Sequence, residues 1–228
     1  MPGLSRASFA QLHPFYVAWS YRDGKHDYAV ILLLKQKGFT ERVFSLRRGD
    51  LDEDTDFVTV IEGPYGKELR LEEYGTTLLF ATGIGIAGQL SYVAQLLDGY
   101  HNYEAKTKRI ALFWQVDSEV QTAWVADRMQ QLLGEDTGRI LDIHIYVLGD
   151  FLSRVIDQGD YVQLGERIDM TYGPMDIEEV LNIELKQKKG NTAISVCADD
   201  KMSDAIRKLV QGMTDDTISL KELDFRPN

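Results

Sequence analysis

The run Thr77-Leu78-Leu79-Phe80-Ala81-Thr82-Gly83-Ile84-Gly85-Ile86-Ala87-Gly88-Gln89-Leu90 passes from unbroken apolar residues into glycines and then into a helical pattern. It reads as a strand, a tight turn and a helix. Gly83, Gly85 and Gly88 fit the spacing G-x-G-x-x-G. In that spacing the missing Cβ atoms let the backbone turn sharply and approach a pyrophosphate held on the amides that open the helix. A dinucleotide beside Thr82 and the glycines is the ligand suggested; a glycine-rich turn that binds nothing has the same spacing. On the ligand reading, Gly85→Val removes dinucleotide binding and spares the fold, because the added branches fill space kept for the pyrophosphate.

Downstream of this turn, apolar strands alternate with amphipathic helices, the pattern of βαβ units and a parallel sheet. Helix is predicted over Ile86 to Leu97, ending near Gly99, and strand over Arg109 to Val116. Helix follows over Ser118 to Leu133, closed by Gly134, then strand over Ile140 to Leu148. Asp176 to Lys188 is helical, with acidic residues at its positive end and lysines at the other. Thr192 to Cys197 is a strand, Ser203 to Met213 the last helix, and Ile218 to Phe225 a terminal strand.

Upstream, from His13 to about Leu69, the apolar runs are short and strand-like: Phe15 to Trp19, Tyr28 to Leu34 and Phe57 to Ile61. Arg22-Asp23-Gly24-Lys25 joins the first two as a hairpin, and Thr40 is placed to cap a short helix. The change of texture puts a domain boundary near residue 70, dividing the chain into 1–70 and 71–228.

Composition narrows the function classes. The chain has 228 residues, 44% of them hydrophobic, enough for a sizeable core. A formal net charge of -11 opposes binding to nucleic acid or to an anionic membrane surface. Cys197 is the single cysteine, which excludes an intrachain disulfide and any multi-cysteine metal site and suits a reducing compartment. His26, His101 and His144 are scattered, with no carboxylate or thiol at ligand spacing, so no metal site is expected. No apolar run is long enough to span a bilayer and no signal core opens the chain; the expectation is a soluble, cytoplasmic protein.

His13-Pro14-Phe15, Gly38-Phe39-Thr40, Glu62-Gly63-Pro64-Tyr65-Gly66, the glycine turn, Cys197 and Phe225 follow one another in a particular order. That order resembles the ferredoxin-reductase superfamily, and within it the dehydrogenase half of fungal ferric reductases and NADPH oxidases. The resemblance covers nearly the whole chain. It implies an α/β fold: a parallel Rossmann-like NAD-binding domain preceded by an antiparallel β-barrel of the FAD-binding type. It implies that His13, Pro14 and Phe15 border the flavin, that Thr40 meets its pyrophosphate, and that Gly83, Gly85 and Gly88 hold the nicotinamide dinucleotide. Cys197 then borders the hydride path and Phe225 covers the flavin ring. Taken singly, each has a plainer role: His13 starting a strand, Thr40 a helix cap, Cys197 and Phe225 core packing.

The chain departs from that pattern at three places. Tyr16 stands where the family has a small threonine, and Ala198-Asp199 where it has Gly-Pro. Only about three strands precede the boundary where the family's barrel has six, so the barrel is expected to be incomplete, with an open edge that a missing N-terminal segment or a second copy would cover. The expected function is an NAD(P)H-dependent flavin oxidoreductase module facing a membrane partner, with FAD held weakly or lost. A remodelled, flavin-free member whose cleft binds another small molecule, as a non-redox enzyme or binding protein, is the alternative. At the end of the second βαβ strand, Asp117 and Glu119 oppose a 2′-phosphate, and Asp117 is placed to accept from a ribose 2′-hydroxyl, which favours NADH over NADPH. Asp117 as a helix cap is the plainer reading.

Overall fold

Thr76–Thr82 is strand β3, the centre of the molecule, and six of its seven residues are buried. A strand buried on both faces has no use for alternation, which is why it reads as a continuous apolar run. In the computed structural model, which describes residues 15, 17–34, 37–46, 68–153 and 156–223, β3 pairs in parallel with β4 (Arg109–Val116) on one side and with β8 (Thr192–Cys197) on the other. Beyond β4 lie β5 (Leu141–Val147), β7 (Ile168–Tyr172) and β6 (Tyr161–Gln163), and beyond β8 lies β9 (Ile218–Glu222). The seven-stranded order is β6-β7-β5-β4-β3-β8-β9, parallel throughout except for the β6–β7 pair.

Helices cover both faces. Leu79, Ala81, Leu112, Trp114 and Ile143 point to one side, where α2 (Ile86–His101) contributes Ile86, Leu90 and Val93 and α3 (Ala126–Glu135) contributes Met129 and Leu132. Leu78, Phe80, Phe113 and Ile194 point to the other, against Leu181 of α4 (Ile177–Lys186) and Met202 and Ile206 of α5 (Asp200–Gln211). Asp176 and Asp199 cap α4 and α5, each accepting from an amide three residues on. The expected α/β fold with a mostly parallel sheet is the one observed.

Several elements differ from expectation. Residues 118–133 do not form one helix: Glu119–Trp124 is a 3₁₀ turn and α3 starts only at Ala126. The last helix begins at Asp200, earlier than Ser203, because Asp199 rather than Ser203 supplies the cap. The antiparallel pair β6–β7 was not anticipated, although Ile168, Met170 and Tyr172 alternate as buried residues.

The N-terminal part contributes a separate two-stranded antiparallel sheet, β1 (Trp19–Asp23) and β2 (His26–Val30), and helix α1 (Phe39–Leu46). The turn falls at Gly24-Lys25, with Gly24 at φ 58, so the strands start and end several residues from Phe15 and Leu34. An isolated hairpin is marginal in water. This one is held by Ala18, which is fully buried, and by Trp19 and Leu32, which pack on the α2 face of the core. The Ser91 hydroxyl of α2 also donates to the carbonyls of Ala18 (2.9 Å) and Val17 (3.2 Å). The expected strand Phe57 to Ile61 lies outside the described residues.

Candidate functional site

The order of the parallel strands reverses direction between β3 and β8, and ligands of open α/β sheets bind outside the carboxyl ends of the strands at such a point. Here those ends carry Thr82 and Cys197. After Thr82 the chain makes a single 3₁₀ turn, Gly83–Gly85, and enters α2. The turn needs glycine first because Gly83 sits at φ 47, and a Cβ there would meet nothing within 4 Å. That space is open and lies at the positive end of a 16-residue helix, a fit for a pyrophosphate.

Gly85 and Gly88 serve a different purpose. A Cβ on Gly85 would stand 1.9 Å from the carbonyl oxygen of Cys197, and one on Gly88 would stand 2.9 Å from the Cys197 sulfur. The room these glycines leave is filled by the end of β8, so they let α2 lie flat against the sheet. The expectation that Gly85→Val spares the fold is therefore overturned: the branches would collide with strand backbone, not with ligand space.

Several residues hold this turn. The buried Trp114 indole donates to the carbonyl of Gly83 (2.8 Å), and the Thr82 hydroxyl accepts from the amide of Asp199 (2.7 Å), joining the end of β3 to the cap of α5. Inside, the fully buried Gln89 donates to the carbonyl of Phe80 (3.0 Å) and accepts from the Ser195 hydroxyl (3.0 Å), bridging β3 and β8 below the site. Sequence reading missed Trp114 and Gln89, and it noted Asp199 only as a departure from the family's Gly-Pro, not as the cap of α5. A glutamine facing a core from the first turn of an apolar helix is a signal that could have found Gln89.

Cys197 ends β8 as expected, and the residue is 1% exposed. Burial pushes its thiol up to about 12, so it stays protonated and carries no nucleophilic or basic character near neutral pH. Of the flavin-side candidates, Phe15 is exposed and packs 6.0 Å from Phe39, and Thr40 lies in the first turn of α1. His13, Pro14, Tyr16 and Phe225 lie outside the described residues, as does Glu62 to Gly66. His144 has a structural role, as expected: it stacks on Phe113 at 4.9 Å and bonds Asp169 across the β5–β7 pair at 3.0 Å.

Asp117 follows β4 at the same sheet edge and is exposed. Its amide donates to Gln121 (3.1 Å), while its carboxylate accepts no hydrogen bond among the described residues, so it does not act as a helix cap. Glu119 is engaged: its carboxylate accepts from the amide of Leu152 (2.8 Å) and from the Tyr172 hydroxyl (3.2 Å).

Comparisons with known proteins agree with this architecture. The family model "Ferric reductase NAD binding domain" matches residues 74–211, from just before β3 to the end of α5. The chain is 34% identical over 90 residues to the Ferric/cupric reductase transmembrane component 2 of Saccharomyces cerevisiae, a stretch that is 39% of this chain and 12% of that protein. The chain thus spans a small part of its yeast relative. Among solved structures, the CS-b5R domains of human Ncb5or in the NAD+ form superpose with a TM-score of 0.50 at 14% identity, covering 88% of this chain and 50% of that one, a likeness of fold. With its glycine turn, switch point and flanking strands all inside the matched span, the chain belongs to the ferric reductase NAD binding domain family.

Proposed function

We propose that this chain is an NAD(P)H-dependent oxidoreductase module that binds the dinucleotide across the β3/β8 switch point and passes reducing equivalents to FAD and on to an external acceptor. The observation that carries the reading is the open space over Gly83 at the head of α2, at a topological switch point within the matched span. The dinucleotide supplies the hydride chemistry; this chain supplies orientation. The turn amides face the pyrophosphate, Trp114 and Thr82 fix the turn, and Asp117 meets the adenosine ribose. Cys197 contributes a packed wall and no proton transfer.

Calorimetry with NADH tests this on Gly83→Asp. Aspartate enters the left-handed region at a strain cost of about 1 kcal/mol, and the site has room, so the fold should hold while the new carboxylate repels the pyrophosphate. NADH affinity should fall at least about tenfold, or 1.4 kcal/mol. Gly83→Asn should lose less, being the same shape without the charge. Unchanged affinity in Gly83→Asp would place the ligand elsewhere. NADH should bind at least as well as NADPH, and Asp117→Arg should move the preference towards NADPH.

A second reading, a flavin-free member that binds another small molecule at the same switch point as a non-redox enzyme or binding protein, is favoured by the burial of Cys197, which leaves no reactive thiol there. It predicts no NADH oxidation when FAD and an acceptor are supplied.

A further inference from the structure

The carboxyl ends of β4, β5 and β7 lie side by side at the edge that carries Asp117, and the connections leaving them meet at one side chain. Glu119, in the turn after β4, takes the Leu152 amide on one oxygen and the Tyr172 hydroxyl on the other. Leu152 belongs to the segment after β5; Tyr172 closes β7. That segment leaves β5 with the Leu148 amide bonded to the Val116 carbonyl (2.9 Å) and turns at Asp150, whose φ is 48. It comes back with the Phe151 ring edge-on to Tyr172 at 5.0 Å. Tyr172 is thus held by ring and by hydroxyl, and residues 148–152 are held beside Asp117. These connections carry exposed apolar side chains: Val120, in the turn after β4, and Leu148 and Leu152, after β5, are 57%, 38% and 69% exposed.

The Asp117 carboxylate, which accepts no hydrogen bond among the described residues, suits a ribose hydroxyl, and an apolar rim drawn from Val120, Leu148 and Leu152 suits a purine base. We propose that Glu119 is a positioning residue for the adenosine half of the dinucleotide, clamping residues 148–152 so that Asp117 and the apolar rim face the ligand together. The proposal rests on the dinucleotide reading above. It separates two neighbouring acids that look equivalent in sequence: Glu119 is consumed by the clamp, and Asp117 reads the ribose.

Titration calorimetry with ADP-ribose and, separately, with nicotinamide mononucleotide tests the clamp on the full chain. Glu119→Ala should weaken ADP-ribose about tenfold and leave nicotinamide mononucleotide within twofold. Glu119→Gln should restore ADP-ribose binding to within about threefold of wild type, because the carboxamide oxygen still accepts from the Leu152 amide and its amino group can donate to the Tyr172 oxygen. The ratio of NADH to NADPH affinity should stay unchanged in Glu119→Gln and fall in Asp117→Asn. Unaltered ADP-ribose affinity in Glu119→Ala overturns the clamp, as do equal losses for both halves, which would mark a general structural effect. Failure of the wild-type chain to bind NADH or ADP-ribose at millimolar concentration overturns the dinucleotide reading itself, and the clamp with it.

Discussion

At Gly85 the missing side chain is dictated by the strand beneath it. A Cβ at 1.9 Å from the Cys197 carbonyl requires α2 or β8 to shift, so Gly85→Ala should destabilise the fold by about 1–3 kcal/mol and Gly85→Val by more, read by urea denaturation. Wild-type stability in Gly85→Val would show that the helix end is free to move. Cys197 gives a pH dependence with a definite sign. Its ordinary value of 9.0 is pushed up to about 12 by burial, so the folded state keeps a proton that the unfolded chain releases. The stabilisation is complete below pH 9 and is lost as pH rises through the folded value. Each pH unit within that window removes about 1.4 kcal/mol through this group. Tyr146, pushed up to about 12 by burial and by the nearby Asp169, Glu179 and Glu184 charges, adds the same sign above pH 10. Cys197→Ala should flatten the part between pH 9 and 10, measured by denaturation at fixed pH; an unchanged slope would show an exposed thiol. The spacing of the glycines and the place of Asp117 were legible in the sequence. Core packing was the plainer reading of Cys197; the purpose of Gly85 was not legible, because it arises from a residue more than 100 positions away meeting it at a strand end.

Gln89 shows how one buried polar side chain joins two elements. It is the link between β3 and β8 below the switch point, where the neighbouring positions of α2 are apolar. Gln89→Leu keeps the volume but leaves the buried Ser195 hydroxyl without its partner, which should cost about 1–3 kcal/mol. Ser195→Ala in the same background should recover much of that loss, because the orphaned group is then removed; thermal unfolding of the two single variants and the double variant measures it. Strictly additive losses would mean the bond contributes nothing. The long strands β3, β4 and β8 were legible from continuous apolar runs and β5 from a run that alternates at first, and the helices from capping acids and periodicity. The β6–β7 pair was passed over because both strands are short and β6 is mostly exposed, yet Tyr172 at the end of β7 anchors Glu119. The 3₁₀ turn at Glu119–Trp124 was read as helix because periodicity does not register that Glu119 and Gln121 bond outside a helix, to Leu152, Tyr172 and Asp117.

At the scale of the whole molecule, the two parts of the chain differ sharply in how they are supported. The α/β body has a core on each face of its sheet, whereas all ten strand residues of the hairpin except Trp19 and Val30 are exposed. The hairpin borrows its order from the body through Ala18, Trp19, Leu32 and the Ser91 hydroxyl. Phe15 adjoins this lightly braced sheet with 41% of its surface exposed, and ligand sites of high affinity bury most of the ligand against walls already in place. FAD should therefore bind weakly, with flavin fluorescence showing gradual saturation and no stoichiometric break. Stirred with NADH and ferricyanide, the chain should oxidise NADH at a rate that rises with added FAD and levels off as the flavin site fills. Because each hydride carries two electrons and ferricyanide accepts one, two ferricyanide ions should be reduced for every NADH consumed. Tight stoichiometric FAD uptake would show that the hairpin surface is far better braced than its exposure implies. NADH oxidation at full rate without flavin would remove FAD from the electron path altogether.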